Sequence, residues 1–444
     1  MSEILRVGSK LPSHLLVLGA GCLTACSLAA DGGGPVVGSV GQALASGVLA
    51  PGVALYAPKP QQGSREQFAD LMSSHQKEDA RLIKRMANTP QAVWLEQGTP
   101  KQVTQQVRQV VNQAAEQGTV PVLVAYNIPF RDCAQYSAGG ATTPEEYLAW
   151  IDGVAKGIGS KKAAVILEPD GLGIIPYYKS FWNEVYDWCQ PAEADEATAA
   201  AERFAMLNAA VDRLNEQPNV AVYLDATHSA WLGANEAANR LEQAGIDRAA
   251  GFFLNVSNYR PTSDSIKFGE WVSSCLALID AYAAVGATWW SASWGCPNQY
   301  VQDTGTGQWV PDFSAENVAK VDADYAANLA NWPGPTSATT SFVIDTSRNG
   351  QGPWVPPADH PAGDPQDWCN PPDRGLGLLP TTDTGHDLVD AYLWIKTPGE
   401  SDGQCTRWGA GPEDPVREMI DPAAGIWFPE QALELVHFAN PPLD

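Results

Sequence analysis

Seven short apolar runs recur along this 444-residue chain, and nearly every one ends in a cluster of polar side chains. They are "AVWLE" from Ala92, "VPVLVAYNIP" from Val120, "AAVILEPD" from Ala163, "VAVYLDATHS" from Val220, "GFFLNVSNY" from Gly251, "SFVIDTSRNG" from Ser341 and "DAYLWIKTPGESDG" from Asp390. Amphipathic stretches at 104–116, 144–156, 196–215 and 264–284 lie between them. Strands that are apolar throughout belong to a parallel sheet buried on both faces, and the intervening helices supply the cover. Seven such units favour an α/β fold of the (β/α) barrel type over an open sheet.

In such a barrel the C-terminal strand ends meet on one face, where active sites sit. The polar tips here are Arg131-Asp132, Glu168 to Asp170, Asp225 to His228, Asn255 to Asn258, Asp345 to Arg348 and Glu400 to Asp402. Asp132, Asp170, Asp225 and Asp402 would then converge on one cleft, with Arg131, Lys396 and Arg348 as counter-charges. Crowded carboxylates raise one another's pKa. That keeps one of them protonated near neutral pH, as an acid catalyst requires. Any one of these aspartates alone could simply cap a loop or close an ion pair; four together argue for a site.

The net charge of -24 disfavours nucleic acid and anionic lipid as partners but tolerates a neutral ligand such as a carbohydrate. Most of the 16 Trp belong in the core, while an exposed indole offers a flat apolar face that suits a pyranose ring. Paired carboxylates in a Trp-bearing cleft fit glycoside hydrolysis.

The N-terminus reads as an export signal over residues 1–30. Arg6 and Lys10 make a basic start, and "LPSHLLVLGAGCLTACSLAA" is an apolar stretch too short to span a bilayer that ends in small residues. "LTAC" resembles a bacterial lipoprotein cleavage box in which Cys26 would be lipidated; the alternative is a plainly cleaved signal. No other stretch is long and apolar enough to be transmembrane. Residues 31–52 are small and poor in charge, and are expected to form a tether. Residues 53–444 are expected to form one catalytic domain, secreted or held at the cell surface and monomeric. Of eight cysteines, Cys22 and Cys26 lie in the leader. The six that remain suggest disulfides in an exported chain, with the pairing left open. No CxxC and no nearby His pair point to a metal, and no cofactor is expected.

The segments "VAYNIPFRDCAQYSAGG" (Val124 to Gly140), "ILEPDGLG", "YLDATHSAWLG", "LNVSNY", "FVIDTSRNGQGPW", "DWCNPPDRGLG" and "DAYLWIKTPGESDG" together resemble glycoside hydrolase family 6. That family comprises secreted endoglucanases and cellobiohydrolases that cleave β-1,4-glucan. The resemblance implies a distorted barrel of about seven parallel strands and a mechanism that inverts the anomeric centre without a metal. By the same resemblance, Asp170 is the general acid. Asp132 raises the acid's pKa and takes a proton from the attacking water through a second water, and Asp402 is the other candidate base. Tyr126 presses on the distorted sugar, and Arg131 pairs with the carboxylates. Asp225 and His228 are polar groups on the substrate side. Trp231 and Trp368 stack on sugars either side of the scissile bond, and Asn258, Lys396 and Glu400 hold sugar hydroxyls. The resemblance also pairs Cys133 with Cys189 and Cys369 with Cys405, leaving Cys275 with Cys296 as a further bridge.

Several positions depart from the family pattern. Phe130 and Thr227 stand where glycine is usual, and Gly171 where other small residues are frequent. Ala138 replaces a serine that helps hold the catalytic water, for which Ser137 is the substitute at hand. The aromatic segment 287–309 is insertion-like, and is either an extension of the cleft or a packed loop. The segment between Cys369 and Cys405 is short, as in open-cleft endoglucanases, which favours endo over exo attack. One competing reading is a non-catalytic glucan-binding protein, but it would have lost the acid. Another is a metal-dependent deacetylase, which would need clustered His. Of six His only His228 falls near the proposed site.

Overall fold

The computed structural model describes residues 47–181, 185–286, 293, 295–331, 337–357, 360, 364–409 and 411–443. The expected export signal, Cys22 and Cys26, and residues 31–46 of the expected tether lie outside the described residues.

Seven strands form one parallel sheet: β1 (Val93–Leu95), β2 (Val122–Ala125), β3 (Ala163–Leu167), β4 (Val220–Asp225), β5 (Gly251–Leu254), β8 (Ser341–Asp345) and β9 (Val389–Leu393). A separate antiparallel hairpin, β6 (Tyr300–Gln302) with β7 (Trp309–Pro311), interrupts the series. All seven apolar runs of the sequence are strands of the sheet. Neighbours in the sheet follow chain order, so each crossover steps the same way and the sheet curls. Its two edges share no ladder, yet the Ala92 amide donates to the Trp394 carbonyl at 2.9 Å and Trp94 Nε1 to the Ile395 carbonyl at 2.8 Å. The sheet is thus a barrel closed by single hydrogen bonds rather than by a strand pair.

The period of two along each strand sorts its residues between two cores. Ala163, Val165 and Leu167 of β3 pack outward against helices, together with Val222, Leu224 and Phe252. Ala164 and Ile166 point inward, beside Val124, Tyr223, Phe253 and Val343. Both faces are dry, which is why these strands read as continuous apolar runs.

Outside the sheet, the helix Pro100–Glu116 begins with a capping box between Thr99 and Gln102. The helix Pro144–Ile158 packs tightly on it. A Cβ on Gly153 would lie 2.5 Å from the Pro100 carbonyl oxygen, so only glycine permits this approach. The helices Ala199–Asn215 and Thr262–Ala284 occupy the other two expected positions.

One domain boundary differs from expectation. The last residues of the expected tether belong to the folded body, because Val48 and Leu49 are buried in the barrel's inner cluster. All three expected disulfides are formed: Cys133–Cys189, Cys275–Cys296 and Cys369–Cys405.

Candidate functional site

A cleft of about 600 Å³ opens at the C-terminal ends of the strands. Asp132, Asp170 and Asp402 line it, as do Tyr126, Arg131, His228, Trp231, Asn258, Trp368, Lys396 and Glu400. Eleven of the twelve catalytic and binding residues expected from the sequence line this cleft.

The exception is Asp225. It caps β4, but its carboxylate turns away from the cleft and accepts the amides of Leu172, Gly173 and Thr227 at 3.1, 3.1 and 2.8 Å. It therefore shapes the turn after Asp170 instead of facing a substrate. Burial raises its pKa to about 6, against the pull of those three amides.

The "EPD" sequence at the tip of β3 divides its two carboxylates between scaffold and cleft. Glu168 has a positive φ of 55° and is fully buried. It accepts the Asn127 amide at 2.9 Å and the Ile128 amide at 3.1 Å, which fastens the exit of β2 to β3. Burial moves its pKa to about 7, with those amides pulling the other way. Asp170, at φ 63°, projects into the cleft instead. Among the described residues no protein donor holds its carboxylate. Burial first, and then the negative charges of Asp225, Asp132 and Asp402, push its pKa well up, with Lys396 opposing. It is the carboxyl best placed to carry a proton at neutral pH.

Asp132 and Asp402 differ from it and from each other. Asp132 accepts one backbone hydrogen bond, from Ser137 at 2.7 Å. Burial raises it to about 6, while the Ser137 amide and Arg131 act against the rise. Asp402 is gripped by cations, with Arg348 at 2.8 Å and Lys396 at 3.2 Å, and it also accepts the Asn370 amide at 3.0 Å. Burial alone would raise its pKa, but Arg348 and Lys396 outweigh it and hold the carboxyl below its usual range. Asp402 is thus a fixed anion and Asp132 the more basic carboxylate.

Among the described residues Arg131 forms no ion pair with a carboxylate, although its charge still acts on Asp132. Its guanidinium donates to the carbonyls of Glu96, Tyr126 and Ser137 and lies 4.6 Å from the Tyr126 ring. Its reach is taken up by the loop it closes, so it acts as a brace. Tyr126 sits edge-on to Trp94 at 5.4 Å, and burial with the nearby aspartates keeps its hydroxyl protonated. His228 accepts the Ala230 amide on Nδ1 at 3.2 Å. Burial and Arg260 lower its pKa well below the usual value, so the ring is neutral with Nε2–H free to donate.

Glu400 accepts from Gln61 at 3.0 Å, and Trp368 leans on Tyr136 at 6.1 Å. Ala138 lines the cleft next to Ser137, at the position where a serine was expected. The two glycine replacements, Phe130 and Thr227, adopt positive φ of 57° and 59°.

Some cleft residues escaped the sequence reading. Glu96 follows β1 and obeys the same strand-tip rule, which would have found it, whereas Trp94 lies within β1. Asp367 adjoins Trp368, and Arg260 lies two residues after Asn258. Trp188 lies in a loop and carries no pattern.

In the unassigned segment, residues 287–292 and 294 lie outside the described residues. Of the remainder, Ser293, Cys296 and Gln299 are buried, while residues 300–309 run into the β6–β7 hairpin, whose arms are not buried. Buried Gln299 donates to the Ser229 and Leu232 carbonyls and accepts the Ala234 amide, while the Tyr300 hydroxyl donates to the Trp231 carbonyl. It braces the loop that carries Trp231.

A sequence profile described as "Glycosyl hydrolases family 6" matches residues 50–439. Endoglucanase A of Thermobispora bispora is 33% identical over 81% of this chain, which spans 57% of that protein's length. Endoglucanase 1 of Streptomyces halstedii is 32% identical over 79% of both chains. A probable 1,4-beta-D-glucan cellobiohydrolase C of Aspergillus niger is 29% identical over 80% of this chain and 69% of its own. Among solved structures, an endoglucanase from Mycobacterium tuberculosis in complex with methyl-cellobiosyl-4-deoxy-4-thio-beta-D-cellobioside is 32% identical. It matches with a TM-score of 0.58 over 88% of this chain and 99% of that one. With the seven-stranded curled sheet and the aspartate-lined cleft at its strand tips, the profile match places this chain in glycosyl hydrolase family 6.

Proposed function

We propose that this chain hydrolyses β-1,4-glucosidic bonds of cellulose-type glucan by inversion, cutting within the chain. The observation that carries the reading is Asp170, a carboxyl that projects into a Trp-lined cleft without a protein donor among the described residues, its pKa raised by burial and by the charges around it, beside two other carboxylates of unlike basicity. Asp170 donates its proton to the leaving glycosidic oxygen. A water attacks the anomeric carbon from the opposite face and its proton passes, through a second water, to a carboxylate. Asp132 suits that role better than Asp402, because a base held in two ion pairs has lost basicity. Asp402 contributes a permanent negative charge near the developing oxocarbenium ion. Neutral His228, Asn258, Lys396 and Glu400 offer donors and acceptors to sugar hydroxyls, and Trp231 and Trp368 offer flat faces.

Endo attack is supported by the short segment between Cys369 and Cys405 and by the endoglucanase names of the relatives at 32–33% identity. The exo alternative has support in the cellobiohydrolase name at 29%. Three disulfides support an exported chain.

The test pairs viscosity with reducing ends on carboxymethylcellulose. The wild type should lower viscosity steeply for each end released, and Asp170→Asn should lose at least about 10²-fold in kcat while folding normally. Slow viscosity loss per end would mean chain-end attack. Full activity in Asp170→Asn would overturn the assignment of the acid.

A further inference from the structure

We propose that Trp188 is a sugar-stacking wall of this cleft, presenting its indole to a β-linked glucosyl ring beside the segment that follows Asp170. The inference rests on the glucan-hydrolase reading above and extends it to a residue outside every motif of the sequence.

Trp188 lines the cleft yet is 53% exposed. What singles it out is its place in a concave cleft, where a half-exposed indole offers a flat apolar face and a polar N–H edge to a ligand. Its backbone is fixed on both sides. On one side, the Asp187 carboxylate meets buried Arg240 at 3.0 Å and the Asp187 amide donates to the Tyr178 carbonyl at 2.8 Å. On the other, Cys189 is buried, bonded to Cys133, and accepts the Tyr177 amide on its carbonyl at 2.9 Å. Cys133 directly follows Asp132, so the loop that displays the indole is joined covalently to a catalytic loop.

Arg240 extends the clamp. It also donates to the Leu172 carbonyl at 2.7 Å, inside the segment that follows Asp170. Trp231 packs against Gly173 of that same segment, where an added Cβ would come 2.7 Å from its ring. Trp188 and Trp231 thus line the same cleft from two different loops, both tied to the segment after Asp170. An exposed indole on a pinned backbone loses little entropy when a ring stacks on it, which is what a preformed binding wall requires.

The experiment compares wild type, Trp188→Phe and Trp188→Ala on cellohexaose and cellotetraose, following KM, kcat and product distribution. Trp188→Ala should lose about tenfold in kcat/KM on cellohexaose, carried by KM, and should shift the bond that is cut. Trp188→Phe should recover most of the loss, because a flat ring remains. Wild-type KM and products in Trp188→Ala would overturn the proposal. So would a loss equal on both substrates, unrescued by Phe and accompanied by a lower Tm, since that is a loop being held rather than a sugar. A wild type that cuts no β-1,4-glucan would overturn the functional reading together with this one, whereas an active wild type with an indifferent Trp188 overturns this one alone.

Discussion

Replacing Arg348 with Met should destabilise the protein in a way that depends on pH. Arg348 is completely buried, and its guanidinium meets the buried, cleft-lining carboxylate of Asp402 at 2.8 Å. Removing one partner of a buried ion pair costs about 3–5 kcal/mol, because the other charge stays behind. Here Lys396 remains 3.2 Å from Asp402 and the Asn370 amide 3.0 Å, which puts the cost at the lower end, about 3 kcal/mol. A domain of this size has an unfolding entropy of roughly 0.8 kcal/mol/K, so Tm should fall by about 4 °C near neutral pH.

The pH dependence separates this cause from ordinary packing loss. In the wild type the Asp402 carboxyl lies below its unfolded value. Its stabilisation is present above pH ~3.9 and is lost only as pH falls through the depressed pKa. In the variant that carboxyl rises above the unfolded value, so its penalty is full at neutral pH and disappears as it protonates. The Tm gap should therefore narrow as pH is lowered towards about 4. Arg348 also lies over Tyr259 at 4.5 Å and donates to the Ser257 carbonyl, and those losses are independent of pH. Scanning calorimetry at a fixed rate, with variant and wild type paired at each pH, reads the difference. A gap that stays constant as pH falls would refute the electrostatic account, and the double variant Arg348→Met/Asp402→Asn should regain part of the loss.

The whole carboxylate cluster should tilt the stability curve towards acid. Asp132 and Asp225 are raised to about 6 and Glu168 to about 7, so the folded state holds more protons than the unfolded chain between pH ~4 and ~7. Stability should fall as pH rises across that window, and the opposite contribution of Asp402 is already complete below it. A Tm higher at pH 8 than at pH 5 would contradict this. Separately, Thr227→Gly should stabilise by about 1 kcal/mol, since a β-branched residue in the left-handed region costs ~1–2 kcal/mol and the extra freedom of glycine in the unfolded chain returns ~0.5–1. A higher denaturant midpoint with unchanged slope is expected, and a lower midpoint would show that buried Thr227 packs better than its backbone suggests.

The sheet was legible because burial on both faces writes itself as an unbroken apolar run, and each of the seven runs became a strand. The hairpin β6–β7 left no such mark. Each arm has three residues, none of them buried, and Trp309 is 66% exposed. The site was legible to the level of the strand tip and no further. Asp170 and Asp225 both sit at tips, yet one faces the cleft and the other turns back to hold three amides. That choice depends on the positive φ at Asp170 and on where the Leu172 and Gly173 amides fall, which spacing does not reveal. Arg131 shows the same limit, since a cation beside two aspartates reads as an ion pair until the carbonyls around it are known. Trp188 was hidden more deeply, because nothing in a loop sequence says that both neighbours are clamped.

The left-handed residues show how the tips are held. Phe130, Asp132, Cys133, Glu168, Asp170, Thr227, Asn255, Ser257 and Asn370 all have positive φ, and they lie on the segments that carry or adjoin the cleft. Such conformations cost on the order of 1–3 kcal/mol each and persist only where the surroundings impose them. The imposing groups are buried and polar. Glu168 takes the amides after β2. Asp225 takes those after Asp170. Buried Arg203 donates to the carbonyls of Pro129, Gly171 and Ile174, each at 2.8 Å, and so ties the loop of Asp132 to the loop of Asp170. A carboxylate enclosed to grip backbone also places negative charge behind the cleft, and Asp225 is the largest charge acting to raise Asp170. The same burial that bends the strand tip towards the cleft therefore raises the pKa of the carboxyl at its end, so geometry and acidity at Asp170 have one source.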